Sequence, residues 1–206
     1  MNEGKIFIST DWHMYRYDKN TGLISRRPDF EDIIGFQNSA VSDEDIFIFL
    51  GDLVDDQFTD ASAVTEICSR MRGIKLFIRG NNDIFADDVY INGGFISVDY
   101  AIIMNKIAFS HTSIPVDETE YVNIHGHIHR DGWDCNDIPY YHPCNRNINI
   151  CTKDCTTICL SDMDLDELMS RNNNWIPGKT EKPGMSMFVQ NMAKKKFKDK
   201  IGGIQK

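Results

Sequence analysis

The stretch Ile46-Phe47-Ile48-Phe49-Leu50-Gly51-Asp52 decides how the rest of the chain reads. Five apolar residues without interruption suit a strand buried on both faces, and Gly51-Asp52 ends that strand on a carboxylate. The same pattern lies on either side. Lys5–Ser9 (KIFIS) is a β-rich run that ends in Thr10-Asp11-Trp12-His13, and Ile74–Ile78 (IKLFI) ends in Arg79-Gly80-Asn81-Asn82-Asp83. Helical patterns separate the three runs. Phe30, Ile33, Ile34 and Phe36 imply a helix over roughly 30–40 with Asp29 as its cap. Ala63, Val64, Ile67, Cys68 and Met71 recur at helical spacing until Gly73 stops them. Residues 14–28 are polar, contain Gly22 and Pro28, and read as a loop.

Beyond residue 94 the pattern changes from alternating elements to successive strands. These are expected at Phe95–Asp99, at Tyr100–Met104, at Lys106–Ser110 ending in His111, and at Tyr121–Ile124 ending in His125-Gly126-His127-Ile128-His129. A last strand is expected at Asn147–Cys151 and a short helix at Asp164–Ser170. Strand–helix–strand–helix–strand followed by strands alone implies a layered α/β fold, with one mixed sheet or two packed sheets.

The chain of 206 residues is long enough to build one core, and 41% apolar, 11% aromatic and 26% charged residues are globular values. No apolar run approaches the length of a membrane span, and the first residues read neither as a basic n-region nor as an apolar h-region. A cytoplasmic location with free thiols is therefore expected. Net charge is −9, unevenly divided. Residues 171–206 hold nine Lys/Arg against two acids, while residues 1–170 hold 13 basic against 29 acidic residues. Such an acidic body is a poor platform for phosphate backbones, which argues against a nucleic-acid partner. The expected organisation is a domain over 1–170 and a basic C-terminal extension over 171–206.

Asp11/His13, Asp52, Asn81, His111 and His127/His129 all follow strand ends. In open α/β sheets ligands bind beyond the carboxyl ends of the strands. Three Asp/Asn oxygens and four imidazoles suit borderline divalent transition metals rather than Ca²⁺ or Mg²⁺. Seven ligands are too many for one tetrahedral ion and suit two ions about 3.5–4 Å apart with a bridging carboxylate. Gly51, Gly80 and Gly126 precede ligand segments and let the backbone turn and approach closely.

The ordered set Asp-x-His, Gly-Asp, Gly-Asn-x-Asp, His, Gly-His-x-His resembles the calcineurin-like metallophosphoesterases over roughly residues 5–151. The resemblance implies a four-layer α/β/β/α sandwich with mixed sheets. It implies that Asp11, His13, Asp52 and His129 hold one metal, and that Asp52, Asn81, His111 and His127 hold the other, with Asp52 bridging. A water or hydroxide between the ions would then attack the phosphorus of a monoester or diester. Mn²⁺ is the first expectation for the two divalent ions, with Fe, Zn and Ni suiting the same shell.

Two departures narrow this reading. The family often carries a His after Gly-Asn that protonates the leaving group, and here the position is Asn82, an amide that cannot act as a general acid near neutral pH. Asn82 is expected to hydrogen-bond a phosphoryl oxygen and Asp83 to orient Asn82 or a water. Protein phosphatases resemble Gly-Asp-x-Val-Asp-Arg-Gly, whereas this chain has Gly51-Asp52-Leu53-Val54-Asp55-Asp56-Gln57, which argues against that role. Arg79, Arg130 and Arg146 are nearby cations; Arg79 and Arg130 are the candidates for holding substrate, with an ion pair in an acidic body as the other reading of each.

His125 is either a core histidine, a residue behind the metals or a replacement acid, and His142 has no assigned role. Cys135, Cys144, Cys151, Cys155 and Cys159 do not match the usual zinc spacings and read as incidental thiols, with a third metal or redox site as the alternative. In the extension, Met185, Phe188, Val189 and Met192 fit a packed helix ending in lysines, with RNA contact or docking on an acidic neighbour as alternatives. The expected activity is metal-dependent hydrolysis of a phosphodiester or small organic phosphate, without a membrane. The rival is a metal-binding scaffold with blunted catalysis.

Overall fold

The computed structural model of the chain describes residues 4–104, 106–114, 121–127, 147–150, 155 and 157–162. In chain order the elements are β1 (Ile6–Ser9), β2 (Tyr15–Asp18), β3 (Leu23–Arg26), α1 (Phe30–Ala40), β4 (Ile46–Phe49), α2 (Ala61–Arg70), β5 (Ile74–Ile78), α3 (Asp87–Asn92) and β6 (Phe95–Asp99). Then come β7 (Ala101–Met104), β8 (Ile107–Ser110), β9 (Val122–His125), β10 (Asn147–Asn149) and β11 (Ile158–Cys159). The first sheet has the order β11-β1-β4-β5-β6, parallel except for β11. The second has the order β10-β9-β8-β7, parallel except for β7, and β2 and β3 form a hairpin of their own.

The alternation of side chains along the first sheet divides the interior in two. Phe7, Phe47, Phe49 and Phe77 face α1 and α2, where Ile33, Ile34, Val64 and Ile67 cover them. Ile8, Ile48, Leu50, Leu76 and Ile78 face the other way, onto Ile102, Ile107, Phe109 and Ile124 of the second sheet. Each of these buried side chains contributes about 1.5–3 kcal/mol relative to exposure. The chain therefore folds as the α/β sandwich that the sequence implies. Helices, first sheet and second sheet are stacked layers among the described residues.

The register places the site. Ile8 lies opposite Ile48, and Ile48 opposite Leu76, so the loops after β1, β4 and β5 emerge side by side. Phe109 lies opposite Ile124, which brings His111 level with Gly126; the Gly126 N–H donates to the His111 carbonyl at 2.9 Å.

Several local details differ from the sequence reading. Residues 15–26 form a hairpin rather than a loop. Tyr-Arg-Tyr-Asp does alternate, but the run is short and polar, and the turn rests on Gly22 (φ 69°) with its N–H on the Asp18 carbonyl. Asp29 occupies the cap position of α1, yet its carboxylate takes both sides of the Arg27 guanidinium (2.8 and 2.7 Å) instead of helix N–H groups. Asp60, by contrast, caps α2 through the Ser62 and Ala63 N–H groups. That helix ends at Arg70, and Gly73 (φ 97°) turns the chain into β5. Helix α3 was not apparent in the sequence. Among the described residues no helix is long and apolar enough to cross a membrane. The helix expected at Asp164–Ser170, the extension at 171–206, and Cys135, Cys144 and Cys151 lie outside the described residues.

Candidate metal centre

The loops after β1 and β4 run alongside each other as a continuation of the sheet. The Asp11 N–H donates to the Gly51 carbonyl, the His13 N–H to the Asp52 carbonyl and the Met14 N–H to the Leu53 carbonyl, at 2.8–3.0 Å. This close course requires left-handed backbone at three polar residues, Asp11 (φ 57°), His13 (φ 42°) and Asp52 (φ 59°); His127 (φ 70°) across the site shares it. Such angles are uncommon for residues that carry a Cβ, least so for Asp, Asn and His, and they cluster at functional sites. A Cβ on Gly80 would overlap Asp52 Oδ1, and one on Gly126 would overlap Thr10 Oγ1 and Asp11 Oδ2, so both glycines are required where carboxylates come against backbone.

Two groups of donor atoms converge. Asp11, His13 and Asp52 form one, and Asp52, His111 and His127 the other, each with its ligand atoms within 4.8 Å of one another. Asp11, Asp52 and His111 are 2–3% exposed, while Asn81 sits at the exposed mouth. His111 Nδ1 lies 2.7 Å from the Leu50 carbonyl. An acceptor there assigns the ring proton to Nδ1 and leaves Nε2 with a lone pair. That lone pair faces Asn81 Oδ1 at 3.1 Å, His127 Nδ1 at 3.2 Å and Asp52 Oδ2 at 3.3 Å. Acceptors gathered around that nitrogen call for a positive charge between them, either a second ring proton that makes His111 an imidazolium donating to Asp52, or a cation, and mixed N/O donors fit a divalent transition metal. Burial works against a charge on His111, but the hydrogen bond and charge of Asp52, helped by Asp11, outweigh it and raise the ring's pKa above its ordinary value. For Asp52, burial raises the carboxyl, and the hydrogen bond and charge of His111 bring it below its ordinary value.

His13 is held by a residue the sequence reading did not single out. Its Nδ1 lies 2.6 Å from Asp55 Oδ1, which directs Nε2 toward Asp11 Oδ1 and Asp52 Oδ2 at 3.9 and 3.8 Å. Carboxylates behind ligand histidines fix their tautomer and raise their basicity. The available signal was a carboxylate three residues beyond Asp52, which spacing alone does not connect to His13.

The other expected residues are placed as follows. The Asn82 amide donates to Asp52 Oδ2 at 2.7 Å and its backbone N–H to Asp52 Oδ1 at 2.9 Å. It thus orients the shared carboxylate, rather than presenting its amide group outward. Among the described residues the Asp83 carboxylate makes no hydrogen bond to Asn82. It accepts the N–H groups of Gly80, Asp52 and Leu53 (2.7, 2.8 and 3.2 Å) and pins the two loops together. Burial, with the Asp52 charge adding, raises the Asp83 carboxyl to about 6 despite those donors. The Arg79 guanidinium is engaged with the Asp83 and Phe85 carbonyls and with Asp87, and lies over the Tyr90 ring. It holds the turn together as an ion pair, the second of its two readings. His129, Arg130, His142 and Arg146 lie outside the described residues.

His125 is buried on β9, with Nδ1 on the Gly126 carbonyl at 2.8 Å and, among the described residues, no hydrogen-bond partner for Nε2. Burial, with the neighbouring His111 and His127, lowers its pKa to about 4.

The family model for calcineurin-like phosphoesterases matches residues 4–183. Similar solved structures include a protein of unknown function, AQ665, from Aquifex aeolicus, 21% identical with a TM-score of 0.56, covering 80% of this chain and 99% of that one. Another is the nuclease MPE of Pseudomonas putida, 19% identical with a TM-score of 0.43, covering 60% and 61% of the two chains. No curated protein matches the sequence.

Proposed function

Because the chain belongs to the calcineurin-like phosphoesterase family, we propose that it hydrolyses a phosphodiester or a small organic phosphate at a site holding two divalent cations, Mn²⁺ in the first instance. Asp11, His13 and Asp52 would hold one ion, together with His129, and Asp52, Asn81, His111 and His127 the other. When bound, such cations lower the pKa of water and neutralise charge on the phosphoryl group. The remaining work falls to the chain. Leu50 and Asp55 keep protons off the metal-facing nitrogens of His111 and His13, Asn82 and Asp83 set the Asp52 carboxylate, and the exposed side at Asn81 admits substrate.

The observation that carries this reading is the placement of His111 Nε2, turned into the site by the bond of Nδ1 to the Leu50 carbonyl and surrounded by Asp52, Asn81 and His127. With Asn82 engaged on Asp52, no histidine follows Asn81 to protonate a leaving group. Esters with good leaving groups should therefore be favoured, by about the 10²–10⁴-fold that a positioned acid otherwise contributes. The test is a panel of aryl and alkyl phosphomonoesters and phosphodiesters with Mn²⁺, Fe²⁺, Zn²⁺ and Ni²⁺. Turnover of aryl diesters above alkyl ones supports the reading. Equal rates on both contradict the missing acid, and tight metal without any turnover favours the scaffold.

A further inference from the structure

The hairpin of β2 and β3 is a two-stranded sheet separate from the other two, and residues 18–26 are all exposed. A lone hairpin is only marginally stable in water, so the ties at its base decide whether it is ordered. Tyr15 stacks on Phe58 with ring centroids 4.1 Å apart. The Asp55 N–H donates to the Tyr15 carbonyl at 3.0 Å, and the Tyr17 N–H donates to Asp55 Oδ2 at 2.7 Å. Both bonds use the edge of β2 that faces away from β3.

The second oxygen of the same carboxylate, Oδ1, lies 2.6 Å from His13 Nδ1. One half-buried side chain therefore grips an imidazole of the candidate metal centre with one oxygen and a backbone amide of the hairpin with the other. Resting on the reading of His13 as a metal ligand, we propose that Asp55 is a positioning residue that couples metal binding at His13 to the order of the β2–β3 hairpin.

The physical link is short. A cation on His13 Nε2 makes the Nδ1 proton more acidic and strengthens its bond to Oδ1. That fixes the plane of the carboxylate and with it the position of Oδ2 beneath the Tyr17 N–H. The coupling is reciprocal, so whatever orders the hairpin tightens the metal by the same factor. It also explains why a residue outside the ligand set carries a short bond to each side.

Hydrogen exchange at the Tyr17 amide, with and without saturating Mn²⁺, tests this on the unaltered chain. Exchange is expected to slow by about tenfold on metal binding, within the usual range of such couplings. Asp55→Ala should leave the Tyr17 amide exchanging fast in both conditions and weaken Mn²⁺ by about 10–100-fold at one of two sites. Tyr17→Pro removes the donor together with the ring, on a strand edge away from β3 that tolerates proline, and should weaken Mn²⁺ by about fivefold, whereas Tyr17→Val, which keeps the donor, should not. Circular dichroism identifies any variant that fails to fold, and the wild-type exchange then decides alone. Equal Tyr17 exchange with and without Mn²⁺, or wild-type Mn²⁺ affinity in folded Asp55→Ala, overturns the coupling. Asp52→Asn separates the two readings. If it still binds two Mn²⁺ normally, the metal centre itself is misassigned; if it loses metal while Asp55→Ala does not, only the coupling fails.

Discussion

The two sheets contribute to the site in different ways. The first supplies Asp11, His13, Asp52 and Asn81 from three neighbouring loops, with left-handed backbone at the first three of them. Those loops are held by many bonds. Ladder-like amide bonds join the first two, and the Asp83 carboxylate clasps the second and third. The second sheet supplies His111 and His127. His111 sits directly after β8 without such strain, and its ring is set by one bond across to the Leu50 carbonyl of the first sheet. His127 is tied across by its N–H to Asp11 Oδ2 at 2.9 Å. The first half is held by bonds among its own loops, while the second, although His127 shares the left-handed backbone (φ 70°), is positioned by bonds across to the first. Loss of a first-sheet residue should therefore disturb both halves.

Asp52 belongs to both groups of donors, so its replacement tests that asymmetry most strongly. Asp52→Asn is expected to lower phosphodiester turnover by about 10²–10³-fold, on the scale of losing one preorganised charge-stabilising group, and to release both ions. Steady-state kinetics with metal analysis checks this.

The next effect belongs to the second sheet alone. Folded His125 stays neutral down to about pH 4, whereas the unfolded residue takes up a proton below about 6.5. At His125 the unfolded chain thus binds more protons in that window, and the contribution of this residue to stability falls as pH drops from about 6.5 to 4, by up to about 3 kcal/mol, opposed by the raised Asp83 carboxyl. In metal-free protein, His125→Leu should flatten the thermal stability profile across that window. An unchanged slope would show that His125 is not held neutral.

Asn82→His returns a candidate acid to the third loop but removes the amide donor to Asp52. Turnover of alkyl esters should rise toward about 10²-fold, the lower end of general acid contributions, with little change for aryl esters. A uniform change across both substrate types would mean that only Asp52 had been disturbed. The smallest effect is expected for Gly80→Ala, whose methyl meets Asp52 Oδ1 and its backbone nitrogen. A cost of about 1–3 kcal/mol in thermal unfolding is expected, with weaker metal binding.

Much of this arrangement was legible in the sequence. Apolar runs ending in Asp52, Asn81 and His111 marked both the strands and the donors, because a buried parallel strand is nearly all apolar and its end is where polar residues can begin. Gly51, Gly80 and Gly126 were legible for the same reason. What escaped depends on where chain segments meet. The Leu50 carbonyl has no side-chain signature. Asp55 reaches His13 only because the loops after β1 and β4 run side by side, and Asp83 meets three amides only because the register of β4 and β5 brings them level. The hairpin escaped because its alternation is polar and the groups that tie its base, Asp55 and Phe58, lie in a distant loop.

The proposed site has two ions sharing Asp52 between the two halves. Anomalous scattering from Mn²⁺-loaded crystals would locate them. Two peaks are expected, one among Asp11, His13 and Asp52 and one among Asp52, Asn81, His111 and His127, both absent in Asp52→Asn. No peak at these residues, or a full pair that survives Asp52→Asn, would contradict it.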